Sequence, residues 1–373
     1  MPMVPGTIGE FKNAASWWRT KIFTEVVPSS DGVGDLLRLM ASRAPSAFFI
    51  IDGALESQKP FERLFARREK FVFDATASEP RTQDVDRVVG LLKGSGTSID
   101  AIVGVGGGAT MDLAKASSIC LANPRPAAEY QGYGLDMAKG PDIWVLPTLA
   151  GTGAEITPIA VLRGPEKKLG INNNFTAPAV AVIDPLLASG AKKFNRFFSM
   201  MDCFFHHYEI TRSKTSDEDA ILDARDGLRI AREVLSCDLS EFDEARAVKS
   251  AVASVLGGSS SIGGRVGVSH AISYGLSNSS PSLPHSVAVT ISMLACRDIY
   301  GDEGWNDTVR FLETSGVSRP TAREYGIGES HIERMTSTAL GMEKLWLSHF
   351  GQDWRKVVDK NFVEGIYRRI VEA

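Results

Sequence analysis

The chain has 373 residues, 43% hydrophobic and 23% charged, with 41 Lys and Arg against 45 Asp and Glu and a formal net charge of −4. Such a composition belongs to a soluble globular protein too long for one ordinary core, and its sign argues against nucleic acid or an anionic membrane as the main partner. No apolar run is long enough to span a membrane, the start Met1-Pro2-Met3-Val4 is unlike a leader, and the four dispersed cysteines (Cys120, Cys203, Cys237, Cys296) read as reduced thiols, so the cytoplasm is the expected location.

Residues 1 to 45 are mixed, with Trp17 and Trp18 in an expected amphipathic helix and a second helical pattern at Gly32–Arg43. Ser46–Asp52 is a short apolar run ended by Asp and Gly, the pattern of a buried parallel strand. Lys70–Asp74, Ala101–Val105 and Ile143–Pro147 read as further strands, alternating with helices at Val85–Leu92 and Met111–Leu121. Val180–Pro185 closes this half. Strands alternating with helices indicate an α/β domain built on a mostly parallel sheet, assigned to residues 1–185. Beyond it strand patterns nearly vanish. Helices such as Asp217–Ser236 and Phe242–Gly257 make residues 186–373 an all-α domain.

Two loops follow predicted strands. Gly104-Val-Gly-Gly-Gly-Ala-Thr-Met-Asp112 also opens a predicted helix, so its glycines let the backbone approach a phosphate at the positive end of the helix. Pro147-Thr-Leu-Ala-Gly-Thr-Gly-Ala-Glu155 adds two hydroxyls, Thr148 and Thr152. Two such loops at the carboxyl ends of neighbouring strands form a crevice of the nucleotide-binding kind.

The helical half carries a different chemistry. Asp202 and His206 stand four apart in a helical segment, so both leave one face. His270 and His285 bring the set to one carboxylate and three imidazoles, suited to Zn²⁺ or Fe²⁺ with a position left for a substrate oxygen. His207, about 100° further round the helix, is read as structural. His331 and His349 are read as solvated or capping residues.

These residues resemble the iron-containing (group III) alcohol dehydrogenase family. Gly106-Gly-Gly-Ala-Thr-Met-Asp-Leu-Ala-Lys115 is similar to its G-G-G-S-x-x-D-x-A-K, and Pro147–Glu155 to its P-T-T-A-G-T-G-S-E. The stations Asp202 with His206, His270 and His285 fall in the family's metal order. The resemblance implies NAD in the N-terminal half, held by Asp52, Gly106, Gly107, Gly108, Asp112, Thr148, Thr152 and Lys168, and a divalent metal in the helical half. Asp52 matches the position beside the adenosine ribose, where a carboxylate favours NAD over NADP. Gly267–Leu276 and Lys167–Asn173 look most like the branch containing 3-deoxy-D-manno-octulosonate 8-oxidase, which implies a primary, polyhydroxylated or sugar-acid alcohol as substrate. A homodimer accords with the resemblance.

The chain departs from the pattern at Ala109, Leu149 and Ala154, each lacking a family hydroxyl, and at Ser286, where a glycine is usual. At the third station, H-x3-H becomes His270-x3-Tyr274. Tyr274 either relays a proton, which needs its pKa lowered from about 10, or walls the pocket. The expected reaction is metal-assisted hydride transfer between an alcohol carbon and NAD, with His270 and Tyr274 at the chemistry and no nucleic acid or membrane involved. Two rivals are a dehydroquinate-synthase-like sugar-phosphate cyclase and a metal-free NAD-binding descendant.

Overall fold

In the computed structural model, which describes residues 3–75 and 79–373, the apolar runs of the first half are strands of one six-stranded parallel sheet. Its members are β1 (Glu25–Pro28), β2 (Ala47–Asp52), β3 (Lys70–Phe73), β4 (Ala101–Gly106), β5 (Asp142–Pro147) and, after a hairpin, β8 (Val180–Ile183), in the order β1-β8-β5-β4-β2-β3. The hairpin is β6 (Ile159–Arg163) and β7 (Lys168–Asn172), paired antiparallel. Met1 and Pro2, where the leader reading begins, lie outside the described residues.

The helices of this half are α1 (Ile8–Asn13), α2 (Gly32–Arg43), α3 (Glu62–Phe65), α4 (Thr82–Ser95) and α5 (Gly108–Ala122). Successive strand side chains point to opposite faces, and both faces are covered. Phe48, Ile50 and Ile102 pack with Val85 and Val88 of α4 and Leu113 and Ile119 of α5. Phe49, Ile51, Val103 and Val105 pack with Val33, Leu36 and Met40 of α2. Burying each Phe- or Ile-sized side chain is worth about 1.5–3 kcal/mol, which is why these strands read as unbroken apolar runs rather than as alternation. Gly104 lets α5 sit close on β4, since a Cβ there would lie 3.0 Å from Ala114 Cβ and 3.2 Å from Met111 Cα.

The second half contains α6 (Lys193–Ile210), α7 (Glu218–Leu235), α8 (Glu244–Gly263), α9 (Val268–Ser279), α10 (His285–Ala295), α11 (Arg297–Tyr300), α12 (Asp302–Thr314), α13 (Ile332–Leu340), α14 (Glu343–Phe350) and α15 (Lys360–Glu372). Two compact units emerge: Met1–Trp17, Lys21–Ala191 and Asp243–Ala251 form one, and Trp18–Thr20, Lys192–Phe242 and Val252–Ala373 the other. Among the described residues no helix is long and apolar enough to cross a membrane.

Three details differ from the sequence reading. No regular element joins Asn13 to Glu25, and Trp17 is a fully buried anchor stacked 5.0 Å from Phe11 rather than part of an amphipathic helix. The short strand β1 and the β6–β7 hairpin are additional strands that the apolar pattern did not single out.

Candidate active site

The metal candidates lie in the second unit. Helix α6 presents Asp202, His206 and Glu209 at spacings of four and three, one above the other on a single face. With His270 of α9, Asp202 and His206 place one ligand atom each within 4.8 Å of one another. Asp202 Oδ1 lies 3.3 Å from His270 Nε2 and 4.0 Å from His206 Nε2. Both Asp202 Oδ1 and His270 Nε2 are buried and make no hydrogen bond among the described residues. Leaving such atoms unsatisfied costs about 1–3 kcal/mol each, a cost that a cation between them removes. The donor set, one carboxylate oxygen and imidazole nitrogens, fits zinc or ferrous iron.

The surrounding hydrogen bonds fix which nitrogen each ring offers. Ser261 Oγ donates to the Gly257 carbonyl at 2.7 Å, so its oxygen accepts from His206 Nδ1 at 3.3 Å. His270 Nδ1 donates to Glu209 at 2.5 Å. Both rings therefore turn Nε2 toward Asp202. Their planes are perpendicular, with centroids 4.6 Å apart. His285, at the start of α10, stands further out, its ring 5.8 Å from His270 and 6.0 Å from Tyr274.

Charge follows the same geometry. Burial opposes a charge on Glu209, but His270, the Tyr300 hydroxyl and the Gly267 N–H outweigh it and carry the carboxyl down to about 2. Burial likewise opposes the charge on Asp202, yet the three neighbouring imidazoles hold its carboxyl well below the usual range. Burial would lower His270, but the carboxylates on either side lift it to about 9. Burial and the adjacent His270 push His206 down to about 3.

His207 points away, donating through Nε2 to the Ala253 carbonyl at 3.1 Å, with its ring over Gly227. His331 accepts from the Gly328 N–H at 3.2 Å, a capping contact. His349 is half-buried, and its ring packs edge-on against Tyr300 at 4.9 Å.

The glycine loop lies in the first unit. Parallel register puts Gly106 beside Pro147 and Ile51 beside Val105, so Asp52, Gly106 and Thr148 share the carboxyl edge of adjacent strands. The Thr148 N–H donates to the Gly106 carbonyl at 3.0 Å, tying the two loops together. A Cβ on Gly107 would lie 3.8 Å from Leu149, and one on Gly108 3.7 Å from Ala154 Cβ. Two of the three departures from the family loops therefore flank the glycines. Thr152 is half-buried in the second loop. Asp52 is also half-buried, accepts from the Ala54 N–H at 3.0 Å, and is raised by burial and by Asp74.

Two further expected cofactor residues have internal partners. Asp112 accepts from the Val161 N–H of β6 at 3.0 Å and sits 3.4 Å from the Nζ of fully buried Lys115, which donates to the Ile159 carbonyl at 2.9 Å. Lys168 is buried and donates to Glu79 at 2.5 Å. Both side chains brace the hairpin against its neighbours.

Residues 24–185 match the family model for iron-containing alcohol dehydrogenase. Over this stretch the chain is similar to that family. It is 24% identical over 307 residues to long-chain-alcohol dehydrogenase 1 of Geobacillus thermodenitrificans, covering 74% of this chain and 76% of that protein. It is 25% identical over 301 residues to the NAD-dependent methanol dehydrogenase of Bacillus methanolicus, covering 75% and 78%. In fold, it superposes with a TM-score of 0.77 on the sulfoacetaldehyde reductase of Bifidobacterium kashiwanohense, solved in complex with NAD+, at 19% identity and over 96% of this chain and 100% of that one. The six-stranded parallel sheet followed by helices is thus the architecture of iron-containing alcohol dehydrogenases.

Reading for metal ligands alone misses Glu209, Ser261 and Tyr300. Glu209 continues the i, i+4 spacing of Asp202 and His206 to i+7 and was accessible on that ground. Ser261 and Tyr300 lie 55 and 91 residues from their partners His206 and Glu209, with no periodic signal to mark them.

Proposed function

We propose that this protein is an NAD-dependent, divalent-metal-dependent alcohol dehydrogenase acting on a primary alcohol, polyhydroxylated or of the sugar-acid kind, or on the corresponding aldehyde. The observation that carries the reading is the buried, hydrogen-bond-free pair Asp202 Oδ1 and His270 Nε2, with His206 completing a close triad. Asp202, His206, His270 and His285 would hold Zn²⁺ or Fe²⁺. Once bound, the cation supplies Lewis acidity toward an alcohol oxygen and NAD supplies the hydride acceptor.

The chain's own residues do the positioning. Gly106, Gly107 and Gly108 leave room for a pyrophosphate at the start of α5, and Thr148 and Thr152 offer hydroxyls beside it. Asp52 accepts from a ribose 2′-hydroxyl and repels a 2′-phosphate, favouring NAD. Asp112 and Lys168, the remaining expected cofactor residues, are held in place by Lys115 and Glu79. Tyr274, whose ring neighbours His285, takes the place of the family's second histidine as the proton-handling hydroxyl. Residues 1–185 would form the NAD-binding domain and 186–373 the metal and substrate domain. The likeness to the 3-deoxy-D-manno-octulosonate 8-oxidase branch at Gly267–Leu276 and Lys167–Asn173 supports a sugar-acid substrate. The cyclase alternative is not favoured, since it calls for a Glu with two His where this group begins with Asp202.

The test combines elemental analysis of the purified protein with an NAD-reduction screen over primary alcohols, diols and sugar acids including 3-deoxy-octulosonate. One equivalent of zinc or iron and NADH formation are expected, with metal and turnover lost together in His270→Ala. A His270→Ala variant retaining stoichiometric metal and full turnover would overturn the reading.

A further inference from the structure

Beyond the ligands themselves, we propose that Glu209 is the positioning residue of the metal centre, joining the first turn of α9 to α6 and locking His270 with Nε2 free for the cation. The inference rests on the metal reading above. Glu209 is fully buried at the side chain and comes from the same face of α6 as Asp202 and His206. Its two oxygens receive the Gly267 N–H at 2.9 Å, the Ser269 N–H at 2.8 Å, the Ser269 hydroxyl at 2.7 Å, His270 Nδ1 at 2.5 Å and the Tyr300 hydroxyl.

Five donors on one carboxylate have two consequences. Gly267 caps α9 without a side chain of its own, so Glu209 performs from another helix the task a local Ser or Asp ordinarily does. With every partner donating, Glu209 leaves no proton for His270 Nδ1 to accept, so Nδ1 keeps its hydrogen and Nε2 its lone pair. Tyr300 orients the carboxylate: its hydroxyl donates to Glu209 and accepts from the Val268 N–H at 2.7 Å, and its ring is packed by Tyr208 and His349. The same histidine is thereby oriented through its ring and through the backbone turn that carries it.

Glu209→Gln distinguishes this role from simple packing. Glutamine has the same shape and one accepting oxygen, but its NH₂ must face one of the five donors. Turned toward His270, it donates to Nδ1 and forces the proton onto Nε2. Zinc affinity, measured on the full-length metal-depleted protein by competition with a chromogenic chelator, should fall about 10–100-fold, and the visible spectrum of the Co²⁺-substituted protein should shift. Far-UV circular dichroism should stay unchanged. Tyr300→Phe, which keeps the ring, should weaken zinc in the same direction by a smaller factor, and it carries the test if Glu209→Gln fails to fold. Folded variants with the parent's zinc affinity and Co²⁺ spectrum would overturn the proposal. A parent protein that takes up no zinc or cobalt would instead overturn the metal reading on which it rests.

Discussion

Replacing Gly106 by alanine tests the dinucleotide loop at the point where its geometry is most exacting. Gly106 has φ +154°, a conformation L-residues rarely adopt, and its added Cβ would lie 2.8 Å from Thr110 Cβ and 2.9 Å from Asp52 Cβ. None of these neighbours is the far end of a flexible side chain. Backbone strain of about 1–3 kcal/mol and overpacking of about 1–3 kcal/mol make a penalty of about 2–6 kcal/mol if the loop holds its place. The loop can relieve it only by moving off the Thr148 N–H and away from Asp52. A loss of about 2 kcal/mol or more in NADH binding, at about 1.4 kcal/mol per tenfold, is thirtyfold or greater. Fluorescence titration with NADH reads this directly, while zinc content of the same preparation, which depends on the other unit, should be unchanged. An NADH Kd within twofold of the parent, with an undiminished unfolding midpoint, would refute the argument.

Asp52 gives a pH prediction. Burial and Asp74 raise its carboxyl above the ordinary range, so on acidification it protonates earlier than a solvent-exposed aspartate and loses its value as a ribose acceptor. NAD affinity of the parent should therefore decline on mild acidification. Asp52→Asn should bind NAD more weakly, lose that pH dependence and narrow the gap between NAD and NADP; a parallel decline in both proteins would count against Asp52. Gly227→Ala should destabilise the helical unit, because the new Cβ would fall 2.0 Å from His207 Cε1. Overpacking costs about 1–3 kcal/mol, and displacing His207 from the Ala253 carbonyl about 0.5–1.5 kcal/mol more. Thermal unfolding followed by circular dichroism should show a lowered midpoint, and an unchanged one would mean that the two helices separate freely.

The sheet was readable because its strands are covered on both sides: Phe48–Ile51 and Ala101–Val105 had to be apolar throughout. The same rule hid β1, four residues ending in proline at an edge, and the hairpin, whose first strand alternates half-buried and buried positions in its own small sheet. Trp17 misled for the opposite reason, since a large apolar side chain anchors an irregular segment as well as a helix. Within the site, Asp202 and His206 were legible from helical spacing and His270 and His285 from their chemistry. Glu209 was on the same periodic face but carries no distinguishing residue type of its own. Tyr300 acts from 91 residues away, and only the folded packing of α6, α9 and α11 shows its part. Asp112 and Lys168 were legible only through the family strings, and their ion pairs with Lys115 and Glu79 became visible only in the fold.

Helix α6 is keyed against rotation. Behind the face bearing Asp202, His206 and Glu209, the residues Cys203, Phe204, Phe205, His207 and Tyr208 are all fully buried, so no side of that stretch is free to slip toward solvent. One inserted or deleted residue between 202 and 209 would swing the groups beyond it by about 100° and drive aromatic bulk into the pocket. Length variation is therefore forbidden in these two turns, and any drift in substrate range has to come by point substitution in the other walls.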